Sequence, residues 1–252
     1  MHSLSAVNPA LIRALDLRPG QRVVDLGCGS GDPALEIAQW VGPRGSVLGI
    51  DLSPEMLATA GRRARLLGLK NVRFRRADIA RVSHSGARFD RAVSRFSLMF
   101  VDDVPRTLER MRGTLKRGGR VAIAVWGPVA ANPGTRLRAD ATRPFEKDPP
   151  ADPEQTAHPM RLARPGLLPR LMRRAGFVRV RAEAVRVCWV YPSLEDYVRL
   201  QIDTSLADLH ESLSPANRRR LRERLRRAFR RFESGQVVRY PGQTWVVSGQ
   251  AP

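Results

Sequence analysis

The chain is poor in cysteine, with only Cys28 and Cys188 among 252 residues. Neither sits in a metal-ligand spacing, which argues against a disulfide framework and a structural metal. At this length a hydrophobic core alone suffices to hold an α/β domain. No run of about 18 apolar residues occurs, so no membrane-spanning helix is expected. Residues 1–17 lack a basic stretch followed by an apolar one, and the expectation is a soluble, unexported, cytoplasmic protein. Aromatics are scarce at 6%, which disfavours a base-stacking RNA module. Lysine is nearly absent as well: three of the 44 basic residues are lysines, leaving 41 arginines against 24 acidic residues and a net charge of +20. The preference for arginine over lysine follows from a GC-rich codon usage; the excess over acidic residues also suits contact with polyanions, anionic membranes or acidic ligands, and does not bear on fold.

What is present is alternation. Short apolar runs at 22–26, 47–51, 72–77, 89–94 and 120–126 are separated by helical patterns. Asp32 with Pro33 and Ser53 with Pro54 read as helix starts. Gly68 and Gly118-Gly119 read as helix stops. Continuous apolar strands alternating with helices imply a parallel sheet covered on both faces, hence an α/β doubly wound fold. Residues 127–161 are rich in Pro, Ala, Asp and Arg without a clear period and read as a long loop. Residues 165–175 look helical, 178–191 alternate like a half-buried strand, and 244–248 form a last short strand. Between those two strands, Ser193 and Ser214 open helices. The segment 193–235 is therefore expected to be a helical insertion near the C-terminus that covers the acceptor pocket, with 1–192 and 236–252 as the core domain.

The central motif is Val23-Val24-Asp25-Leu26-Gly27-Cys28-Gly29-Ser30-Gly31-Asp32. Glycines between a strand and a helix let backbone approach a ligand closely. A dinucleotide site would want a third glycine at 32. Here that position is Asp, and Asp25 precedes the loop. Carboxylates there repel pyrophosphate and suit a ligand carrying an ammonium and a sulfonium. About twenty residues on, Asp51 ends the second strand, where a carboxylate can accept both ribose hydroxyls. Leu52 and Met56 are placed to pack on an adenine, with core packing as the other role for Met56. Asp78 and the amide of Ile79 can read the adenine edge, the alternative for Asp78 being a turn aspartate.

These stretches, together with Phe89 to Phe100 and Leu115 to Val121, resemble the class I S-adenosylmethionine-dependent methyltransferases. Within that class they are most similar to the ubiquinone/menaquinone-biosynthesis (type 11) group. The resemblance covers roughly residues 8–126. It implies a seven-stranded sheet of order 3-2-1-4-5-7-6 with the last strand antiparallel. It further implies S-adenosyl-L-methionine bound along Asp25, Gly27, Cys28, Gly29, Gly31, Asp51, Leu52, Met56, Asp78, Ile79 and Arg95. The run Arg95 to Phe100, followed by Ala124-Val125-Trp126-Gly127, resembles a bacterial subgroup acting on small molecules. The segment after strand four lacks the acidic-or-Asn, double-proline, aromatic signature of amino-directed nucleic-acid enzymes and the Pro-Cys of cytosine-C5 enzymes. The expected acceptor is thus a small, apolar or aromatic metabolite, with Phe96, Phe100, Trp126, Trp189 and Tyr197 as candidate pocket residues. His158 is the candidate general base, needed only if the acceptor must lose a proton. Two other acceptors stay open: RNA, suggested by the charge, and a quinone at a membrane surface.

Overall fold

A computed structural model describes residues 6–82, 89–146 and 160–252. In chain order the elements are α1 (Asn8–Leu15), β1 (Arg22–Leu26), α2 (Ala34–Val41), β2 (Ser46–Asp51), α3 (Pro54–Leu66), β3 (Val72–Arg76), β4 (Phe89–Arg95), α4 (Val104–Thr114) and β5 (Leu115–Trp126). They are followed by α5 (Pro133–Thr142), α6 (Leu167–Arg174), β6 (Val178–Tyr191), α7 (Leu194–Asp203), α8 (Ala207–Ser212), α9 (Pro215–Phe229), β7 (Glu233–Ser234) and β8 (Val237–Gln250).

The strands form one sheet of order β3-β2-β1-β4-β5-β8-β6. The first five are mutually parallel, and β8 runs antiparallel to both β5 and β6. This is the expected 3-2-1-4-5-7-6 arrangement with one addition. The two-residue β7 folds back on Val237 and Val238, off the main path, making eight strands instead of seven.

The interior strands are buried on both faces, and that is why they read as unbroken apolar runs. One face holds Leu11, Leu15, Ile37, Val93 and Ala124 beneath α1 and α2; the other holds Leu98, Leu108, Met111, Ile123 and Met172 beneath α4 and α6. The first face continues outward. β6 and β8 extend past the carboxyl end of β5 as a long antiparallel pair, with Trp189 opposite Tyr240 and Tyr191 opposite Val238. Onto this arm pack α7 and α9, burying Val198, Leu221, Leu225 and Phe229.

Several local expectations are corrected. Asp32 does not cap α2: the helix starts at Ala34 without a side-chain cap, and the Asp32 carboxylate instead accepts from both terminal nitrogens of Arg63 at 3.2 and 3.1 Å. The glycines 118 and 119 do not end α4. That helix stops at Thr114, Leu115 already pairs with Phe89, and the two glycines exchange backbone hydrogen bonds with Ala251. The stretch after β5 is not all loop, because Pro133 opens α5. Its weak apolar period hides it, since its contacts run through a glycine: a Cβ on Gly134 would lie 2.5 Å from the Tyr240 ring. The last strand is fourteen residues long rather than five, because Val238–Gln243 pair with the outer half of β6. Ser53, Ser193 and Ser214 cap their helices as the sequence predicts, each accepting from the amide three residues on.

Candidate cofactor and acceptor site

At the carboxyl end of β1 the chain turns through the glycine loop, which is strapped to β2. The amides of Gly27 and Cys28 both donate to the Ile50 carbonyl, at 2.8 and 3.0 Å, and the amide of Gly29 donates to Asp51 Oδ2 at 2.8 Å. The far end of the loop is tied to α3, where Arg63 also donates to the Ser30 carbonyl at 2.8 Å. All three glycines take positive φ, but for different reasons. A Cβ on Gly27 would lie 1.9 Å from Ser97 Oγ, and one on Gly31 would press Leu35 and Ala60 at 3.0 and 3.2 Å. At these two positions glycine is thus also required by packing inside the protein. A Cβ on Gly29 would meet nothing within 4 Å, so here the missing side chain leaves open space in which a ligand can approach the backbone.

Asp51 is more occupied than the sequence suggests. Besides the Gly29 amide, its Oδ1 accepts from the Ser53 amide at 3.0 Å. A carboxylate has about four acceptor positions, so two remain for a pair of ribose hydroxyls. Asp51 thus shapes the loop as well as offering an acceptor. Asp51→Ala is expected to weaken S-adenosylhomocysteine binding about ten- to hundred-fold, the loss of a charge-assisted acceptor worth roughly 1.5–3 kcal/mol. Calorimetric titration of the folded variant checks this, and unchanged affinity would remove Asp51 from the site.

Leu52 and Met56 are 58% and 46% exposed. Core packing is therefore excluded for Met56, and both present apolar surface beside Asp51. Asp78 does two jobs: Oδ1 accepts from the Ala80 amide at 2.8 Å, capping a short turn at Ile79–Arg81, and Oδ2 lies 3.6 Å from Arg81. The turn role is real, and one carboxylate oxygen is left for a ligand. Ile79 is buried, so only its backbone can serve. A groove of about 560 Å³ between Asp78, Arg81 and Arg106 lies on this flank; the glycine loop is not in its wall.

Cys28 packs inward. It is buried, and a Cβ on Gly49 would lie 2.8 Å from its Sγ. Burial, then the charge of Asp25, pushes its thiol up, so it is neither nucleophile nor side-chain contact; its backbone shapes the loop. Asp25 lies beneath the loop, fully buried, and neither carboxyl oxygen has a well-formed hydrogen bond among the described residues. Burial pushes its carboxyl up to about 8, against the pull of Arg95 and of the nearby Ala34 amide at the start of α2. Such an orphaned acid is costly in isolation and fits a site completed by a cationic ligand. Arg95 points the same way. Its Nη1 donates to Asn8 Oδ1 at 3.0 Å, and Asn8 Nδ2 donates to Glu36 Oε2 at 2.8 Å. Burial lowers the Arg95 guanidinium, opposed by Asp32 and Asp25. Arg95 is thus a buried counter-charge beside Asp25 rather than an open ligand contact. Asn8, which ties α1 into this network, carries no motif and was not legible in the sequence.

On the acceptor side, Phe96 follows β4 with φ 52°, a conformation rare for a bulky residue and often kept at functional sites. Its ring stacks on Trp126 at 4.6 Å and meets Trp189 edge-on at 6.5 Å, while the two indoles lie 5.3 Å apart. These three rings gather at the carboxyl ends of β4, β5 and β6. Phe100 is exposed on the turn Leu98–Phe100. Tyr197 is not a pocket residue. It is buried with its ring 4.1 Å from Phe229 and 5.0 Å from Tyr191, and so joins α7 and α9 to the arm. Tyr240, in the part of β8 that Pro241 and Gly242 hide from the sequence pattern, completes that cluster, its hydroxyl 3.3 Å from that of Tyr191. His158 lies outside the described residues. Among the described residues no group of His, Cys, Asp and Glu can hold a metal, and no helix is long and apolar enough to cross a membrane.

Comparison with known proteins agrees with this geometry. The profile of a family described as "Methyltransferase domain" matches residues 17–148, just over half the chain. A 2-phytyl-1,4-naphtoquinone methyltransferase of Synechococcus elongatus is 41% identical over 107 residues, covering 42% of this chain and 46% of that protein. The chain thus spans about half the length of the curated relatives it matches first. A nocamycin O-methyltransferase of Saccharothrix syringae is 33% identical over 189 residues, covering 69% of this chain and 66% of that protein. The crystal structure of YcgJ from Bacillus subtilis shares the fold, with a TM-score of 0.59 at 18% identity over 98% of this chain and 97% of that one. On this profile match and this relative, with the strapped glycine loop in place, the chain belongs to the class I S-adenosylmethionine-dependent methyltransferases, with S-adenosylmethionine as its cofactor.

Proposed function

We propose that this protein transfers a methyl group to a small, planar, largely apolar acceptor lying against Phe96 and Trp126, with the buried Trp189 backing them, and that it works in the cytoplasm. The observation carrying this reading is the three-ring cluster at the strand ends nearest the loop, with Phe96 held in a left-handed conformation. The names of the naphthoquinone and nocamycin relatives support an apolar ring acceptor.

The cofactor supplies an already activated methyl on a sulfonium. The chain's own residues then have three tasks. Gly29 and Asp51 fix one end of the cofactor, and Asp25, protonated in the cofactor-free protein, gives up that proton to balance the cofactor's positive charge. The aromatic rings orient the acceptor for in-line attack. Positioning of this kind supplies roughly 7–11 kcal/mol in favourable cases. The segment 193–235 covers the acceptor and excludes water. Tyr197 and Tyr240 are no bases: burial pushes both hydroxyls up, so they stay protonated. His158 is retained as a candidate base for acceptors that ionise poorly.

The test supplies S-adenosylmethionine labelled in the methyl group to planar phenols and hydroquinones, and to transfer RNA. Label is expected on the small rings, and Trp126→Ala is expected to raise KM at least about tenfold with cofactor affinity unchanged. Hydrogen exchange should slow in 193–235 only when cofactor and acceptor are both bound. Label appearing only on RNA would overturn the reading.

A further inference from the structure

The charge of this protein is concentrated. Residues 215–232 hold nine arginines and one glutamate, so 18 residues carry +8 of the net +20. This span is α9 and the turn after it. Its inner side is fully committed: Leu221, Leu225 and Phe229 are completely buried. Three arginines are also spent inside the molecule. Arg218 donates to the carbonyls of Leu213 and Glu211, Arg224 to those of Ala141 and Asp140, and Arg226 to Glu195 Oε2 through two nitrogens at 2.9 and 2.7 Å.

The remainder have no such use. Arg222 is half-buried, and Arg219, Arg220, Arg227, Arg230 and Arg231 are exposed; none of the six forms an ion pair among the described residues. At about 100° per residue Arg219, Arg220, Arg227 and Glu223 fall in one arc of roughly 100° centred opposite the buried stripe, and Arg230 and Arg231 follow on the turn that ends the helix. From Arg219 to Arg231 the row runs about 18 Å along the axis. Like charges crowded this way repel one another, and composition alone would spread them over the surface.

We propose that this outer face of α9 adsorbs to a bilayer containing anionic phospholipid. Guanidinium groups pair with phosphate in bidentate fashion, and a straight, convex row of them matches a plane of headgroups. The apolar side of the helix is already buried, so docking is electrostatic adsorption and not insertion, and it is strongly weakened by salt. Nucleic acid fits the face less well. Single strands are held by stacking on aromatic rings, and of the two aromatics here Phe229 is buried and Phe232 half-buried with Arg231 5.5 Å above its ring. The surface assignment does not depend on the acceptor reading. If both hold, the cover helix meets the phase in which apolar acceptors dissolve.

The test is co-sedimentation of the full chain with vesicles of phosphatidylcholine alone or with about 30% phosphatidylglycerol, an anionic fraction chosen so that each arginine feels an attractive surface potential. Binding is expected only to the anionic vesicles, and it should be lost at high salt. The variant Arg219→Glu/Arg227→Glu/Arg230→Glu should bind at least about tenfold more weakly. A control, Arg65→Glu/Arg73→Glu/Arg75→Glu, removes the same charge from exposed positions on α3 and β3 and should bind within about threefold of the unmodified chain. Calorimetry with S-adenosylhomocysteine confirms that both variants are folded and keeps this test separate from the cofactor site. Equal loss in the two variants would mean that bulk charge acts and not the α9 face. Absent vesicle binding, or tighter α9-dependent binding to an RNA oligonucleotide, would also overturn the proposal.

Discussion

Asp25→Asn is expected to stabilise the cofactor-free protein and to weaken its grip on S-adenosylmethionine. In the folded chain the buried Asp25 carboxyl titrates at about 8 instead of 3.8, so between those pH values the native state holds a proton that the unfolded state has released. Stability from this group is fully present below about pH 4 and is lost progressively as pH rises towards 8. At pH 7 the loss is about 4 kcal/mol, from a three-unit gap at 1.36 kcal/mol per unit. Asparagine keeps the shape, stays neutral and removes that slope. Urea melts from pH 4 to 8 should show the wild type falling away from the variant as pH rises. Parallel curves would show that Asp25 is not an uncompensated buried acid. The variant should bind S-adenosylmethionine more weakly by roughly 1.5–3 kcal/mol, the worth of a charge-assisted contact. Stability and binding thus move in opposite directions at one position.

Gly29→Val should abolish measurable cofactor binding while the fold persists. No atom lies within 4 Å of the site of a Cβ there, so the side chain clashes with nothing in the protein. Its φ of 51° costs a branched residue about 1–2 kcal/mol, which a domain of this size tolerates. The branch occupies the path of the ligand, and an affinity loss beyond about a hundredfold is expected by calorimetry. The contrast is Gly27→Ala. There the smallest possible side chain meets Ser97 Oγ at 1.9 Å, and the expected result is a destabilised protein, visible in a thermal melt without any ligand. If Gly29→Val binds S-adenosylhomocysteine normally, the open face of the loop is not the cofactor site.

The order of strands and the cofactor half of the site were readable because each depends on local chemistry. Buried parallel strands need apolar runs, caps need Ser with a following turn, and a loop against a ligand needs glycine. Which glycine serves which purpose was not readable, since Ser97 and Ala60 come from distant segments and only the folded chain brings them to Gly27 and Gly31. Asp32 looked like a cap because position and type agreed; tertiary pairing with Arg63 overrode that preference. Asp25 could be recognised as the acid of the motif, but its isolation could not, because a missing partner is a property of three-dimensional surroundings. The outer arm was hidden for a similar reason. The β8 segment Val237–Gln243 carries Pro241 and Gly242, which weaken a strand pattern, and Gly242 is required there because a Cβ would lie 2.0 Å from Trp189 Nε1. Tyr197 looked like a pocket aromatic and became a strut because that arm exists.

The central claim is that the backbone of Gly29 and the carboxylate of Asp51 form the floor of the S-adenosylmethionine site, and a crystal structure grown with S-adenosylhomocysteine tests it most directly. The predicted result is a ligand whose ribose hydroxyls bond Asp51, whose adenine lies on Leu52 and Met56 with Asp78 at its edge, and whose amino acid end passes Gly29 above Asp25. A ligand bound elsewhere, or a Gly29 face left open to solvent in a saturated crystal, would contradict it.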